Sequence, residues 1–256
     1  MLRLMFPIFF FFLITAIPTL LSCPIHQKQA LLHFKSTLTS TITNASSYEL
    51  LQLKSWNQTS DCCSWERVNC DGTRTVTELH LDVVVFPVPY PNPVPVVFSN
   101  ILAPIFYIRS LKLLDISGNS LHGDIPGDGF ANLTELVHLD THYNYFSGSI
   151  PRQFFRLTNL SYLDMGYNWL EGELGPEFGL LTNLTVLRLS ANYFQGQISS
   201  HLFKLKSLIF LDLSYNNIEG KLGPELEWSS KNLTSLSLCG NHFKAKGILV
   251  AKESLL

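Results

Sequence analysis

Four side chains near the middle of the chain have the chemical types required for metal binding or for acid–base chemistry. They are His138, Asp140, His142 and Asp164. Imidazole nitrogens and carboxylate oxygens bind metals and transfer protons, but catalysis also needs a cavity that excludes water and shifts a pKa. Polar and apolar residues alternate around these positions, which predicts that the side chains project side by side from a flat, open sheet. We therefore expect no enzymatic activity, no cofactor and no metal there.

A second group of residues, in neighbouring positions, has the types that dominate protein recognition. Aromatic rings and arginine bury large areas while losing few rotamers, and they are enriched in binding hot spots for that reason. We predict that a peptide or a protein surface binds to His138, Tyr143, Tyr162, Tyr167, Arg188, Phe210 and Tyr215. The aspartates that recur in one phase among them can instead belong to the architecture itself; these are Asp115, Asp140, Asp164 and Asp212.

One repeated phrase supplies the elements that position both groups. In residues 111–240 the pattern Leu-x-x-Leu-x-Leu-x-x-Asn recurs, and its asparagines are spaced by 25, 24, 24, 24 and 25 residues. A fixed period of this length indicates a solenoid in which each coil adds one short strand to a parallel stack. The asparagine is expected to close each strand by bonding backbone groups that no ladder satisfies. The column consists of Asn119, Asn144, Asn168, Asn192, Asn216 and Asn241.

In its better copies the phrase is followed by Leu-x-Gly-x-Ile-Pro, where we expect each coil to return through a bend that the glycine permits. The phrase and this segment together resemble the plant-specific leucine-rich repeat. The resemblance implies an α/β fold: a right-handed solenoid, or horseshoe, with a parallel β-sheet on its concave face and a helical, disulfide-bonded N-terminal cap. The repeat array is expected to span residues 76–256. It begins with an irregular coil at 76–110, and regular repeats start near residues 111, 136, 160, 184, 208 and 233.

Residues 23–75 lack the repeated phrase and are predicted to cap the apolar end of the first coil. Four cysteines in this block allow three pairings, of which the vicinal one is disfavoured by bond geometry; neither the spacing nor a secreted context suits zinc. The block resembles the N-terminal cap of plant leucine-rich-repeat receptors, which implies the pairs Cys23–Cys62 and Cys63–Cys70. Cys239 has no evident partner and is predicted to be a half-buried thiol.

The first 22 residues are predicted to be a secretory signal peptide. One arginine precedes a long apolar run, and the small residue Ser22 stands before Cys23. Retention as a membrane anchor is the alternative, because residues 4–21 are just long enough to span a bilayer. Either outcome places the rest of the chain in the extracellular space or at the cell surface.

Residues 83–97 interrupt the first coil with five prolines in fifteen positions. Proline removes backbone donors and favours extended geometry, so we predict a loop here rather than a central strand. A polyproline recognition segment is the alternative, although spaced Pro-x-x-Pro character is missing. The net charge of -2 provides no basic footprint for nucleic acid.

The chain contains six N-glycosylation sequons. Four of them recur in the same phase of successive coils, which predicts glycans along one flank and leaves the strand face free. The same Asn-Leu-Thr or Asn-Leu-Ser triplet also suits the turn before each strand, and the two interpretations are compatible. The acceptors are Asn44, Asn57, Asn132, Asn159, Asn183 and Asn232.

The resemblance implies a function as the extracellular recognition module of a plant receptor-like protein, in defence or developmental signalling. A peptide or protein ligand is expected on the strand face, with a co-receptor kinase as a second partner. The alternative is a secreted inhibitor of a microbial cell-wall-degrading enzyme, similar to polygalacturonase inhibitors. The last coil loses its Gly and Ile-Pro and no closing cap follows, which suggests a truncated receptor-like sequence or a chain that pairs through that end.

Overall fold

A computed structural model of the chain describes residues 22–42, 51–85, 96–222 and 232–245. The predicted signal peptide, apart from Ser22, lies outside the described residues. So do the sequon at Asn44, the proline-rich positions 86–95 and residues 246–256. Within the described residues, no helix is both long and apolar enough to cross a membrane.

The predicted solenoid is confirmed, with one strand per coil in a sheet of eight. Five of these strands bury a central leucine and direct its neighbours to the opposite face, because successive side chains point to opposite faces; the leucines are Leu114, Leu139, Leu163, Leu187 and Leu211. The first two strands pair antiparallel and every later pair is parallel. The strands are β1 (Val68–Cys70), β2 (Val76–His80), β4 (Leu113–Asp115), β6 (His138–Asp140), β8 (Tyr162–Asp164), β10 (Val186–Arg188), β12 (Phe210–Asp212) and β14 (Ser235–Ser237).

A second parallel sheet, which the sequence analysis does not predict, follows the asparagines. The sequence predicts that the chain bends at the glycine after each asparagine. Instead, this segment extends and pairs with the same segment of the neighbouring coils, because a buried apolar residue there again alternates with exposed ones. The repeat glycine has a positive φ, from 71° at Gly148 to 116° at Gly220, a conformation that few side chains tolerate. The strands are β3 (Val97–Phe98), β5 (Leu121–Asp124), β7 (Tyr145–Gly148), β9 (Trp169–Glu173), β11 (Tyr193–Gly196), β13 (Asn217–Leu222) and β15 (His242–Ala245).

The convex side consists of short helices whose apolar residues complete the core. A run of phenylalanine rings joins neighbouring coils there: Phe106 and Phe130 lie 5.0 Å apart, and Phe155 and Phe178 also 5.0 Å. Such edge-to-face pairs contribute beyond the area they bury. The helices are α2 (Gly127–Phe130) and the single-turn segments Ser99–Leu102, Ile105–Tyr107, Arg152–Arg156, Pro176–Leu180 and Leu202–Lys204.

The six asparagines of the repeat lie in one column between the two sheets. Asn168 shows the pattern: its amide nitrogen donates to the carbonyls of Thr141, Met165 and Gly166 at 3.0 to 3.2 Å, and its oxygen accepts from the N–H of Phe146 at 3.0 Å. Two of these partners belong to the preceding coil. Each asparagine therefore closes its own strand and joins it to the neighbour.

The N-terminal cap is built on α1 (Ile25–Thr41), which packs its apolar face on the first coil. The buried Gln27 connects the two: its side-chain oxygen accepts from the N–H of Val76 at 2.9 Å, and its nitrogen donates to the hydroxyl of Ser110 at 2.9 Å. The structure has the disulfides Cys23–Cys62 and Cys63–Cys70, which fix both ends of the cap.

A carboxylate and a pair of rings complete the cap. Asp61 accepts from the backbone N–H groups of Cys23 and Cys63 and from the guanidinium of Arg74 at 2.6 Å, so it connects both disulfides. Beneath it, the indole rings of Trp56 and Trp65 stack with centroids 5.5 Å apart. The cap is therefore stabilised by individual contacts that do not repeat, unlike the hydrogen bonds of the coils.

Candidate functional site

The centre of the concave sheet brings four of the predicted recognition residues together. His138, Tyr162 and Phe210 occupy the same register position on β6, β8 and β12, and Arg188 lies on β10 between them. The rings of His138 and Tyr162 are parallel within 3°, with centroids 4.0 Å apart. We call these four residues the concave cluster.

Arg188 is held in place by its neighbours before any ligand arrives. Its guanidinium carbon lies 4.8 Å from the centroid of the Phe210 ring and 5.9 Å from that of Tyr162. One guanidinium nitrogen is 3.4 Å from the Tyr162 hydroxyl and 3.5 Å from a carboxylate oxygen of Asp164. The side chain is still 42% exposed. Since cation–π contacts and an ion pair already restrict its rotamers, binding would cost less side-chain entropy.

Two buried carboxylates lie beneath this cluster. Asp140 and Asp164 are paired in the ladder and nearly inaccessible to water. Burial raises the pKa of Asp164, and the adjacent carboxylate of Asp140 acts in the same direction. The expectation that an open sheet leaves such groups unshifted is therefore wrong here, because the side chains of the concave cluster and of His142 cover them.

His142 and Arg188 supply the positive charge that these carboxylates need. The Nδ1 atom of His142 is 2.6 Å from Asp140, and this hydrogen bond raises the pKa of His142 although burial acts against it. The ligand atoms of Asp140, His142 and Asp164 lie within 4.8 Å of one another, a donor set that suits a divalent cation. Two protein cations already balance the two carboxylates when His142 is protonated, and we assign no metal to them.

The remaining ionisable rings of the site are neutral near pH 7. Burial, followed by the carboxylates of Asp164 and Asp140, raises the pKa of Tyr162 to about 12. Burial also lowers the pKa of His138, against the pull of Asp140. The stacked pair therefore offers an uncharged platform beside the guanidinium of Arg188.

The recurring aspartates also have a structural role. In Asp115, Asp140, Asp164 and Asp212 one carboxylate oxygen accepts the backbone N–H two residues further on, at 2.9 to 3.0 Å. Such local bonds terminate a strand. Their repetition needs no ligand to explain it.

The other predicted recognition residues lie apart from the concave cluster. Tyr143 and Tyr167 stack on each other with centroids 4.3 Å apart, at the edge of the concave sheet that faces the second sheet. Tyr215 holds the same position on a later coil and is 64% exposed. The single patch that the sequence suggests is thus divided into two groups.

Three exposed aromatic residues begin neighbouring strands of the second sheet, and the sequence analysis does not identify them: Tyr145, Trp169 and Tyr193. Each comes directly after an asparagine of the column. This common position in the repeat is the feature of the sequence that could identify them. A segment that is predicted to bend, however, does not indicate a row of exposed rings.

The predicted modification sites are accessible wherever the structure describes them. Asn57, Asn132, Asn159, Asn183 and Asn232 are exposed, and the last four lie at equivalent positions of their coils. Cys239 is exposed rather than half-buried, so that prediction is wrong; no described strand lies beyond β14 to cover it.

Comparison with known families matches both parts of the chain. Residues 24–71 match the leucine rich repeat N-terminal domain, and residues 109–170 and 182–243 match the leucine rich repeat. Both profiles describe structural modules rather than a catalytic domain. A disulfide-bonded cap followed by stacked coils with a concave parallel sheet defines the class of leucine-rich-repeat ectodomains.

Within that class, the chain belongs to the leucine-rich-repeat family, and it is similar to plant receptor-like proteins. It is 38% identical over 151 residues to Receptor-like protein 46 of Arabidopsis thaliana, an alignment that covers 57% of this chain and 18% of that protein. The chain thus matches less than a fifth of that relative's length.

Solved structures show the same architecture. The plant peptide hormone receptor RGFR1 in complex with RGF2 is 38% identical, with a TM-score of 0.50 over 53% of this chain and 22% of that one. Pollen Receptor Kinase 3 matches more of the fold, with a TM-score of 0.64 over 86% of this chain and 98% of that one at 24% identity.

Proposed function

We propose that the chain is an extracellular recognition module of a plant receptor-like protein, and that its concave cluster binds a peptide or protein ligand in defence or developmental signalling. The similarity to a peptide hormone receptor supports this function. A co-receptor kinase is the second partner that we propose.

The observation that carries the proposal is the fixed position of Arg188 between Tyr162 and Phe210. An immobilised guanidinium offers directed donors to a ligand carbonyl or carboxylate. The rings around it offer apolar area with little entropy left to lose. The fold itself requires none of these three side chains, since strand closure uses the asparagines and aspartates.

Binding of apoplastic ligands tests the proposal. The full chain is produced with its own N-terminus in plant cells, immobilised, and exposed to apoplastic fluid; retained peptides and proteins are identified and their affinity is measured. We expect Arg188→Ala and Phe210→Ala each to weaken binding at least about tenfold, which corresponds to about 1.4 kcal/mol.

Tyr107→Ala is the matched control, because Tyr107 is 73% exposed on a convex-side helix far from the cluster. Its affinity should equal that of the unmodified chain. Unchanged binding by Arg188→Ala and Phe210→Ala, with normal thermal unfolding, would contradict the proposal. Retention and inhibition of a microbial polygalacturonase would replace the receptor function with the inhibitor function.

A further inference from the structure

A second surface of exposed aromatic residues lies between the two sheets. The side chains of Tyr143 and Tyr167 form one wall of a groove of about 460 Å³, and those of Tyr145, Trp169 and Tyr193 form the other. All five rings are between 37% and 55% exposed. We call this the lateral groove. It is separate from the concave cluster, whose members do not line it.

The backbone at this groove is in a conformation that its residues disfavour. Tyr143 and Tyr167 have φ angles of 51° and 54°, in the left-handed region. The same position carries glycine in other coils, Gly118 and Gly240, so the fold accepts a residue without a side chain there. Bulky residues in this region are uncommon and concentrate at functional sites. The tyrosines therefore occupy a position whose backbone conformation glycine adopts more readily.

The exposed rings continue along the second sheet across four coils. The centroid of Tyr145 is 4.9 Å from Trp169 and 4.6 Å from His122, and His122 is 6.5 Å from Phe98. Phe98 is 58% exposed. A continuous exposed aromatic strip is the usual mark of an interaction surface, whereas isolated exposed rings need no explanation.

The charged residues of the same strands are all acidic. From β3 to β11 the second sheet carries Asp124, Glu171 and Glu173, all exposed, and no lysine or arginine. None of the three carboxylates belongs to an ion pair within the described part of the chain. Glu171 lies opposite Tyr193 in the ladder, so negative charge borders the aromatic wall directly.

We propose that the lateral groove binds an extended polypeptide segment carrying arginine or lysine side chains. Aromatic faces attract cations through the ring quadrupole, and an adjacent carboxylate adds a charge-assisted hydrogen bond. The ring of Tyr167 has Tyr143 on one side, while Ala191, at the same position of the next coil, has only a methyl group. A planar guanidinium fits over such a ring face.

A glycan fits this surface less well than a basic peptide. Sugar rings need broad, coplanar aromatic faces, but Tyr143 and Tyr167 cover one face of each other, and the planes of Tyr145 and Trp169 are inclined by 50°. A neutral sugar would also leave the three carboxylates uncompensated. Charge and ring geometry together favour the cationic partner.

Fluorescence anisotropy with a defined probe tests the inference. The full chain is titrated into a labelled octapeptide in which serine alternates with arginine, and into its counterpart with citrulline, a neutral isostere of arginine. We expect the citrulline peptide to bind at least about tenfold more weakly, and Trp169→Leu and Glu171→Gln each to weaken binding of the arginine peptide. Tyr107→Leu, on the convex side, should leave its affinity unchanged.

The controls separate this surface from the concave one. Equal binding of both peptides, or unchanged binding by a normally folded Trp169→Leu variant, would overturn the inference. Loss of binding in Phe210→Leu but not in Trp169→Leu would assign the peptide to the concave cluster. Binding of a β-linked glucose oligosaccharide that depends on Trp169, without peptide binding, would make the groove a glycan site.

Discussion

The cap and the repeat array protect one continuous core by different means. The cap uses contacts that occur once each: two disulfides, the stacked Trp56 and Trp65, and Asp61 with its three donors. The array repeats one set of bonds around each buried asparagine. A cap contact that is lost by mutation is not replaced by an equivalent contact elsewhere. The loss of a bond in one coil affects only that coil and its neighbours.

The largest expected effect is the loss of a cap disulfide. The Cys23–Cys62 bond closes a sequence separation of 39 residues and the Cys63–Cys70 bond one of 7. Chain-entropy arguments predict that Cys23→Ser with Cys62→Ser costs about 4 kcal/mol, and the other double variant about 2.5 kcal/mol. Guanidinium titration followed by tryptophan fluorescence measures both. Equal costs would show that loop length does not govern cap stability.

A smaller effect is expected for one asparagine of the column. Asn168→Ala leaves the buried N–H of Phe146 and several carbonyls unpaired, so we predict a loss of about 3 kcal/mol in the free energy of unfolding. Asn241→Ala is the matched control, because Asn241 makes the same bonds but is only partly buried; about 1 kcal/mol is expected there. Identical losses would contradict a dependence on burial.

His142 should contribute to the pH dependence of the array's stability. Its pKa is raised above the unfolded value of 6.5, so the folded state binds the proton more tightly. The stabilisation is complete below pH 6.5 and is lost as the pH rises through the raised pKa. Below pH 6.5 the unmodified chain should be more stable than His142→Gln by about 1 kcal/mol or less. This difference in unfolding free energy should shrink as the pH rises above 6.5. A difference that grows with pH would refute this sign.

The cap should respond in the opposite direction. Burial alone would raise the pKa of Asp61, but the hydrogen bonds from Arg74, Cys63 and Cys23 outweigh it and the pKa is lowered from 3.8. Its contribution is therefore present above pH 3.8 and lost as the pH falls through the lowered pKa. Compared with Asp61→Asn, the unmodified chain should lose its advantage only in acid. Denaturant titrations between pH 2 and pH 6 measure this.

The smallest effect is expected at the glycosylation flank. The Asn159 amide donates to the Thr134 carbonyl at 2.8 Å, but both are exposed, so Asn159→Gln should change stability by less than about 0.5 kcal/mol. Where the sequon carries a glycan in plant cells, the variant should also migrate faster on a gel. A large loss of stability would show that the sequon serves the turn more than a glycan.

The sequence determines the periodic part of the molecule almost completely. A repeat of fixed length requires its leucines and asparagines to recur at equivalent positions, so one strand type, the buried column and the convex core follow directly. The second sheet was missed because the segment after each asparagine has only one buried residue, such as Phe146 or Phe194, which is too short a pattern to separate a strand from a bend.

The side-chain groups are less predictable than the backbone. The pattern shows that Tyr143 and Tyr162 both face outward, but not that left-handed backbone at Tyr143 directs its ring to the lateral groove. Likewise the covering of Asp164 by Arg188 and Tyr162 depends on rotamers that the repeat leaves open. Contacts between non-periodic side chains are therefore visible only in the three-dimensional structure.

The asparagine column also bears on how such a chain changes length. Every side-chain hydrogen bond described for an asparagine of the column ends either in its own coil or in the one before, so a duplicated or deleted unit of 24 residues restores the same side-chain partners at the new junction. An insertion or deletion of two or three residues would instead place the asparagine amide groups out of register with the carbonyls that they bind. Insertion or deletion of whole repeats therefore costs little stability. Each added repeat also contributes outward-facing positions at which residues for a new ligand can arise.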